Sequence, residues 1–159
     1  MHNLLYLLPV LLLASSLFAA DPFAGTWKLN LAKSKFGGPT KPPKELTIMI
    51  QEQGDQGFDT VKGVAADGSP ISDRYAFTNT GGEVKVLEGG GGFPPGTSGV
   101  LAKRKADSLT KDWTITLPSG AVVTEHDVVS NDGKTMQMTI KGTDAQGNPY
   151  ETVEVFDRM

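Results

Sequence analysis

The sequence predicts an all-β domain in which about eight to ten strands form a single antiparallel up-and-down sandwich or barrel. The 19 glycines and 10 prolines recur at short intervals along the chain. Between them lie short segments in which apolar and polar residues alternate, which is typical of half-buried strands. No segment after Ala20 carries a convincing apolar stripe at helical spacing. Short strands separated by tight turns are typical of sandwiches and barrels.

The first twenty residues differ from the rest of the chain. Residues 4–13 read LLYLLPVLLL and are followed by small residues up to Ala19 and Ala20. This apolar run is shorter than the roughly 20 residues of a membrane span, and its order is typical of a signal peptide. We therefore expect residues 1–20 to be a signal peptide cleaved near Ala19 or Ala20. Residues 21–159 would then be one domain, periplasmic or secreted, without a membrane span.

Each predicted strand after the signal segment has one apolar face. The residues that share such faces are Phe23, Gly25, Trp27 and Leu29; Leu46, Ile48 and Ile50; Ile71, Tyr75 and Phe77; Trp113, Ile115 and Leu117; Val122, His126 and Val128; Met136, Met138 and Ile140; Val153 and Val155. The strands are separated by turn sequences: Gly54-Asp55, Asp67-Gly68, Gly81-Gly82, Ser119-Gly120, Asn131-Asp132-Gly133 and Gln146-Gly147-Asn148. Such sequences supply the positive φ that tight hairpins need. Residues 30–36 allow one short helical turn.

Composition argues against several functional classes. The chain has no cysteine, which excludes disulfides, a lipid anchor and cysteine-based metal sites. Its 15 basic and 18 acidic residues give no support for nucleic-acid binding. The chain contains no GxSxG, HExxH or phosphate-binding loop motif. We expect no cofactor, no metal site and no catalytic residue.

His126 is the single histidine after the signal segment, and it lies between Glu125 and Asp127. Neighbours on a strand point to opposite faces, so the two acids share one face and His126 lies on the other. This arrangement is not a metal site by itself and favours an ordinary strand residue. The other acids with catalytic potential are expected mostly at turns, where Asp makes local hydrogen bonds; they are Asp67, Asp73, Glu88, Asp107, Asp132 and Asp144.

Two loops rich in glycine and proline, residues 37–44 and 89–96, interrupt the strand pattern. Lysines cluster between Asp21 and Glu45, and residues 103–105 form a second basic group. A basic rim at a barrel mouth would steer an anionic ligand. Solvated loops are the commoner explanation for such clusters.

Four segments carry a family resemblance: FAGTWKLN at residues 23–30, KSKF at 33–36, SNDGKTM at 130–136 and VFDR at 155–158. With its strand rhythm, the chain resembles small exported bacterial lipocalin-like proteins of the calycin superfamily. The resemblance implies a closed β-barrel.

In such a barrel Trp27 would plug one end and Arg158, from the closing strand, would pack across its ring. Gly25 would allow close approach of a neighbouring strand at that end. The middle Thr-Asp-Tyr motif of lipocalins and their paired cysteines are absent here. The strand count also leaves open a ten-strand barrel like that of fatty-acid-binding proteins.

The resemblance implies a non-catalytic protein that binds a small hydrophobic or anionic molecule. Ligand pockets are mostly apolar, so the candidate contacts are Tyr75, Phe77, Trp113 and Tyr150. Which faces point inward depends on register, because a one-residue slip inverts them all. Two alternatives remain open. One is a filled-barrel module of the cell envelope that acts through loops 37–44 and 89–96, and the other is a barrel hydrolase or isomerase that uses His126.

Overall fold

The computed structural model describes residues 21–39, 41–89, 97–102 and 108–159. The predicted signal peptide lies outside these residues, as do most of the 89–96 loop and the basic group at 103–105. Among the described residues, no helix is long and apolar enough to cross a membrane.

The described residues form ten strands that close into one barrel. The strands are β1 (Gly25–Leu29), β2 (Glu45–Gln53), β3 (Gln56–Val64), β4 (Pro70–Thr78), β5 (Gly82–Glu88), β6 (Ser98–Leu101), β7 (Thr110–Thr116), β8 (Val122–Val129), β9 (Thr135–Thr143) and β10 (Pro149–Arg158). Each strand pairs antiparallel with the next, and β1 pairs with β10 to close the circle. The all-β, up-and-down prediction is confirmed. The architecture is a barrel, and its ten strands lie at the upper end of the predicted range.

The predicted turn sequences connect consecutive strands. Gly54 and Gly133, for example, adopt φ values of 62° and 68° between β2 and β3 and between β8 and β9. Glycine suits these positions because it has no Cβ to clash in the left-handed region. Residues 30–36 form hydrogen-bonded turns, and Lys35 then makes an isolated bridge to Val153 of β10.

The up-and-down order assigns every connection to one of two barrel ends. The start of β1, the end of β10 and the β2–β3 and β8–β9 turns share one end, which we call the closed end. A buried apolar cluster fills the barrel there; its members include Phe23, Trp27, Ile50, Val129, Met136 and Phe156. The connections 65–69, 117–121 and 144–148 and the described residues of the two other connections (30–39 with 41–44, and 89 with 97) share the opposite end, which we call the mouth.

The inward faces of β1, β2, β4, β7 and β9 agree with the predicted apolar faces, but those of β8 and β10 do not. On β8, Val122 is 51% exposed and His126 points outward, while Val123 and Val129 are buried. On β10 the buried residues are Thr152, Glu154 and Phe156, so Val153 and Val155 face outward. The face prediction was wrong for these two strands because their inward faces carry polar side chains.

Asp73 also differs from expectation. The sequence favours turns for most of the acids with catalytic potential, but Asp73 lies in the middle of β4 and is 1% exposed. Its carboxyl therefore belongs to the barrel interior rather than to a turn.

Candidate functional site: the barrel cavity

The barrel encloses a cavity of about 870 Å³. Apolar side chains from most of the strands form much of its wall, among them Ile48, Ile71, Val84, Ile115, Met138 and Ile140. Residues of three mouth connections also line the cavity, including Pro39, Ala65 and Thr97. The cavity therefore extends from the middle of the barrel to the mouth.

The closed end is built around Trp27, which is fully buried. Its indole Nε1 donates a hydrogen bond of 2.7 Å to the carbonyl oxygen of Phe23. The guanidinium carbon of Arg158 lies 4.0 Å from the centre of the indole ring. The same guanidinium donates hydrogen bonds of 2.6 Å to the carbonyl oxygens of Ala24 and Gly133. These contacts tie β1, β10 and the β8–β9 turn together over the ring.

Gly25 lies directly under the Arg158 side chain. A Cβ at this position would lie 2.6 Å from Arg158 Nη1, and the φ of Gly25 is 136°. Both the contact and the backbone conformation favour glycine. The family resemblance predicted a closed end formed by Gly25, Trp27 and Arg158. In the structure the Arg158 side chain contacts both of the other residues.

Three of the four aromatic residues predicted as ligand contacts line the cavity: Tyr75, Trp113 and Tyr150. Tyr150 lies near the mouth, where a Cβ on Gly38 would come within 2.4 Å of its Cγ. Phe77 is not part of the cavity wall. It packs edge-on against Trp113, with ring centres 5.3 Å apart and planes at 77°.

The composition of the cavity wall includes a group that sequence reasoning missed. Five carboxyl side chains face the cavity from four strands, and we call them the interior acids: Asp59 of β3, Asp73 of β4, Glu125 and Asp127 of β8, and Glu154 of β10. One signal for them was present in the sequence. Glu125 and Asp127 alternate in phase with Val123 and Val129, so a polar pair interrupts an apolar face of β8.

Asp127 is the best-defined interior acid. It is 4% exposed, and its Oδ2 accepts a hydrogen bond of 2.9 Å from Trp113 Nε1. Burial raises its pKa to about 7, although the Trp113 hydrogen bond and the Lys111 charge act in the opposite direction. Glu125 lies next to it, and burial followed by the charge of Asp127 raises the Glu125 pKa well above its ordinary value. Two adjacent carboxyls in a poorly hydrated space resist ionising together.

The other side of the barrel adds to this acidic field. Asp59 raises the pKa of both Glu125 and Asp127 through its charge, so the β3 and β8 acids act on one another across the interior. Burial raises the pKa of Glu154 to about 7. Burial also raises the pKa of Tyr75, with the charge of Asp73 as the next cause.

Among the described residues, Lys111 is the buried cation of this region, and it is 1% exposed. Its Nζ lies 3.5 Å from Glu52 Oε1. The same Nζ lies 4.7 Å from the ring centre of Phe23 and 4.6 Å from that of Phe77. Lys111 therefore sits between two rings and a carboxylate on the closed-end side of the cavity.

Comparisons with known proteins identify no family. No protein-family model matches the chain, and no curated protein matches it in sequence. Among solved structures, the chain is similar to a zebrafish ileal bile acid-binding protein complexed with cholic acid, at 14% identity and a TM-score of 0.49 over 87% of this chain and 99% of that one. It is also similar to a redesigned β-barrel, mFAP1, bound to DFHBI, at 12% identity and a TM-score of 0.44 over 88% of this chain and 98% of that one. The fold assignment rests on the strand pairing of the chain itself.

His126 lies on the outer surface of the barrel, away from the cavity. Its Nδ1 is 2.6 Å from Asp112 Oδ1, and both side chains are at least half exposed. Within the part of the chain that the structure describes, no three His, Cys, Asp or Glu residues are grouped so that they could hold a metal ion.

The lysines between Asp21 and Glu45 do not all line the cavity. Lys41 lines the cavity near the mouth. Lys33 instead forms an exposed ion pair with Asp157, at 3.0 Å, and Lys28 lines a separate small cavity with Lys62.

Proposed function

We propose that this protein is an exported, non-catalytic barrel that binds a small molecule in its interior. The observation that carries the proposal is the cavity of about 870 Å³ behind a closed end. Ligand sites in proteins are concave, mostly apolar and about 300–1,000 Å³ in volume. The cavity has this size, and its wall combines apolar side chains with a few polar groups.

The cavity favours binding over a filled-barrel module. Barrels of eight or more strands can be packed with side chains or can hold a ligand. In this barrel the packed cluster around Trp27 occupies the closed end, and open space extends from there to the mouth. An unfilled interior lowers stability, because the side chains around it lose van der Waals contacts. A protein that acted only through its loops would have no use for such a cavity.

Membership of the lipocalin-like superfamily is part of the proposal. It is supported by the arrangement of Gly25, Trp27 and Arg158 and by the up-and-down closure. Export is supported by the sequence of residues 1–20. N-terminal sequencing of the protein recovered outside the cytoplasm should find Ala20 or Asp21 as the first residue; an intact Met1 in the cytoplasm would contradict export.

A fluorescent probe tests the binding function. N-phenyl-1-naphthylamine is neutral and apolar, and its emission rises when it leaves water. We expect saturable, one-to-one binding with energy transfer from Trp113, which lies in the cavity wall. Absence of saturable binding to the folded protein would contradict the proposal.

A substitution that points into the cavity and a control that points outward test whether the probe binds inside the barrel. Ile115 is buried and lines the cavity, whereas its neighbour Thr114 points outward. Ile115→Trp should weaken probe binding by on the order of tenfold, because added bulk in a binding cavity displaces ligand atoms. Thr114→Trp should leave binding unchanged. The same is expected of His126→Ala, since His126 lies outside the barrel.

A further inference from the structure

We propose that the ligand carries an uncharged hydroxyl group, which binds Glu154 deep in the cavity while the apolar part of the ligand extends toward the mouth. The inference rests on the proposed binding function and names the polar group of the ligand. It selects a neutral amphiphile, an alcohol, over a carboxylate or an amine.

Glu154 lies where the cavity meets the closed-end cluster. Its side chain lines the cavity, and the residue is 8% exposed. The next inward residue of β10 toward the closed end is Phe156, a fully buried member of that cluster. On the neighbouring strand Met138 pairs with Glu154 and packs against the same cluster. A ligand group that reaches Glu154 therefore lies at the inner end of the cavity.

The Glu154 carboxyl has unused hydrogen-bonding capacity. Within the described residues the structure shows no hydrogen bond or ion pair to its oxygens, and burial alone raises its pKa. Among the other interior acids, Asp127 and Glu125 are hydrogen-bonded to each other. Asp59 and Asp73 also have interaction partners. Because buried polar groups are nearly always hydrogen-bonded, Glu154 is the interior acid best suited to bind a polar group of a ligand.

A hydroxyl group suits Glu154 in both of its protonation states. Burial raises the pKa of Glu154 to about 7, so the carboxylic acid and the carboxylate are both populated near neutral pH. A hydroxyl has one O–H donor and two acceptor lone pairs. It can therefore donate to the carboxylate or accept from the carboxylic acid, and it brings no charge into the barrel in either case.

A charged head group fits this position less well. A ligand carboxylate would place a second acid beside Glu154, and two close carboxyls resist ionising together. An ammonium group would leave water for a space bordered by Met138 and Phe156. Burying a charge is costly unless the charge is fully paired and hydrogen-bonded, and a partly protonated carboxyl is a weak partner for it.

The wall between Glu154 and the mouth accommodates the apolar part of the ligand. Ile140 is the next inward residue of β9 on the mouth side of Met138. Val123 and Leu46 line the cavity near the mouth ends of β8 and β2. An alkyl chain or ring system in contact with these residues would be removed from water, which favours binding.

Displacement of N-phenyl-1-naphthylamine by three ligands of ten carbons tests the inference. Decanol, decylamine and decanoate share an alkyl chain and differ in the head group. At pH 7.5 decanol should bind about fivefold more tightly than either charged ligand, which corresponds to about one net hydrogen bond. Equal or tighter binding of decylamine or decanoate would overturn the inference while leaving the binding function intact. Failure of the probe itself to bind would instead overturn the proposed function.

Substitutions on β10 locate the hydroxyl. Glu154→Met removes the hydrogen-bonding group at similar size and should weaken decanol binding about fivefold, while unchanged probe affinity shows that the variant is folded. Glu154→Gln keeps a donor and an acceptor and should retain decanol affinity. The control Glu151→Met makes the same change on the outer surface of the strand and should also retain it. Equal decanol affinity in Glu154→Met and the wild type would overturn the inference.

Discussion

Replacing Asp127 by Asn measures how much the buried carboxyl lowers the free energy of unfolding of the protein. In the unfolded chain this carboxyl has an ordinary pKa near 3.8, whereas burial raises it to about 7 in the folded protein. The folded state therefore holds a proton that the unfolded state has released between about pH 4 and pH 7. Stability falls as pH rises through this window, because the unfolded state binds fewer protons.

The size of the stability change follows from the difference between the folded and unfolded pKa of Asp127. A difference of about 3 pKa units corresponds to about 4 kcal/mol, which is fully expressed above pH 7 and absent below pH 4. Asparagine has the same shape, keeps an oxygen for the Trp113 N–H and carries no charge. D127N should therefore approach wild-type stability at pH 4 and exceed it by several kcal/mol at pH 8.

Urea unfolding followed by tryptophan fluorescence, at one-unit steps from pH 4 to 8, measures the stability of the wild-type protein and of D127N as a function of pH. The outer-surface control D112N should change stability by less than about 1 kcal/mol, because exposed ion pairs contribute little. The turn acids with lowered pKa, such as Asp132, stabilise the folded protein when ionised. This contribution is lost only as the pH falls toward their lowered pKa. A wild-type stability that rises from pH 5 to 8, or a D127N difference that does not vary with pH, would refute the reasoning.

Two further substitutions test the packing of the barrel by urea unfolding. Arg158→Ala removes the guanidinium from the Trp27 ring and from its carbonyl partners and should cost about 2 kcal/mol; Arg158→Lys should restore less than half, and an unchanged midpoint would contradict the closed-end account. Gly57→Ala places a Cβ 2.2 Å from the Phe77 ring and should cost about 1–3 kcal/mol. Gly99→Ala, whose nearest contact would be 3.4 Å, should cost much less, and equal effects would contradict the packing argument.

The fold was accessible from the sequence because turn chemistry and strand periodicity are local signals. Sequences such as Gly54-Asp55 and Asn131-Asp132-Gly133 mark hairpins by the backbone conformation that glycine permits. The contact of Trp27 with Arg158 followed from a resemblance, since the two residues lie at opposite ends of the chain.

The site was less accessible because its polar groups break the rule that apolar faces point inward. The alternation of apolar residues predicts that Val122 of β8 and Val153 of β10 point inward. In the structure the opposite faces of these two strands point inward, and they carry Glu125 and Glu154. The interior acids also come from two distant parts of the sequence, β3–β4 and β8–β10. Their convergence depends on the register and closure of the barrel, which periodicity alone does not give.

The central claim is that a small molecule binds inside this barrel, and methyl NMR of the methionines tests it most directly. Met136 and Met138 line the cavity, whereas Met49 and Met159 are 39% and 76% exposed on the outside. With N-phenyl-1-naphthylamine bound to ¹³C-methyl-labelled protein, the account predicts nuclear Overhauser contacts from the probe's rings to Met136 and Met138 and none to Met49 or Met159. Contacts confined to Met49 or Met159 would contradict it.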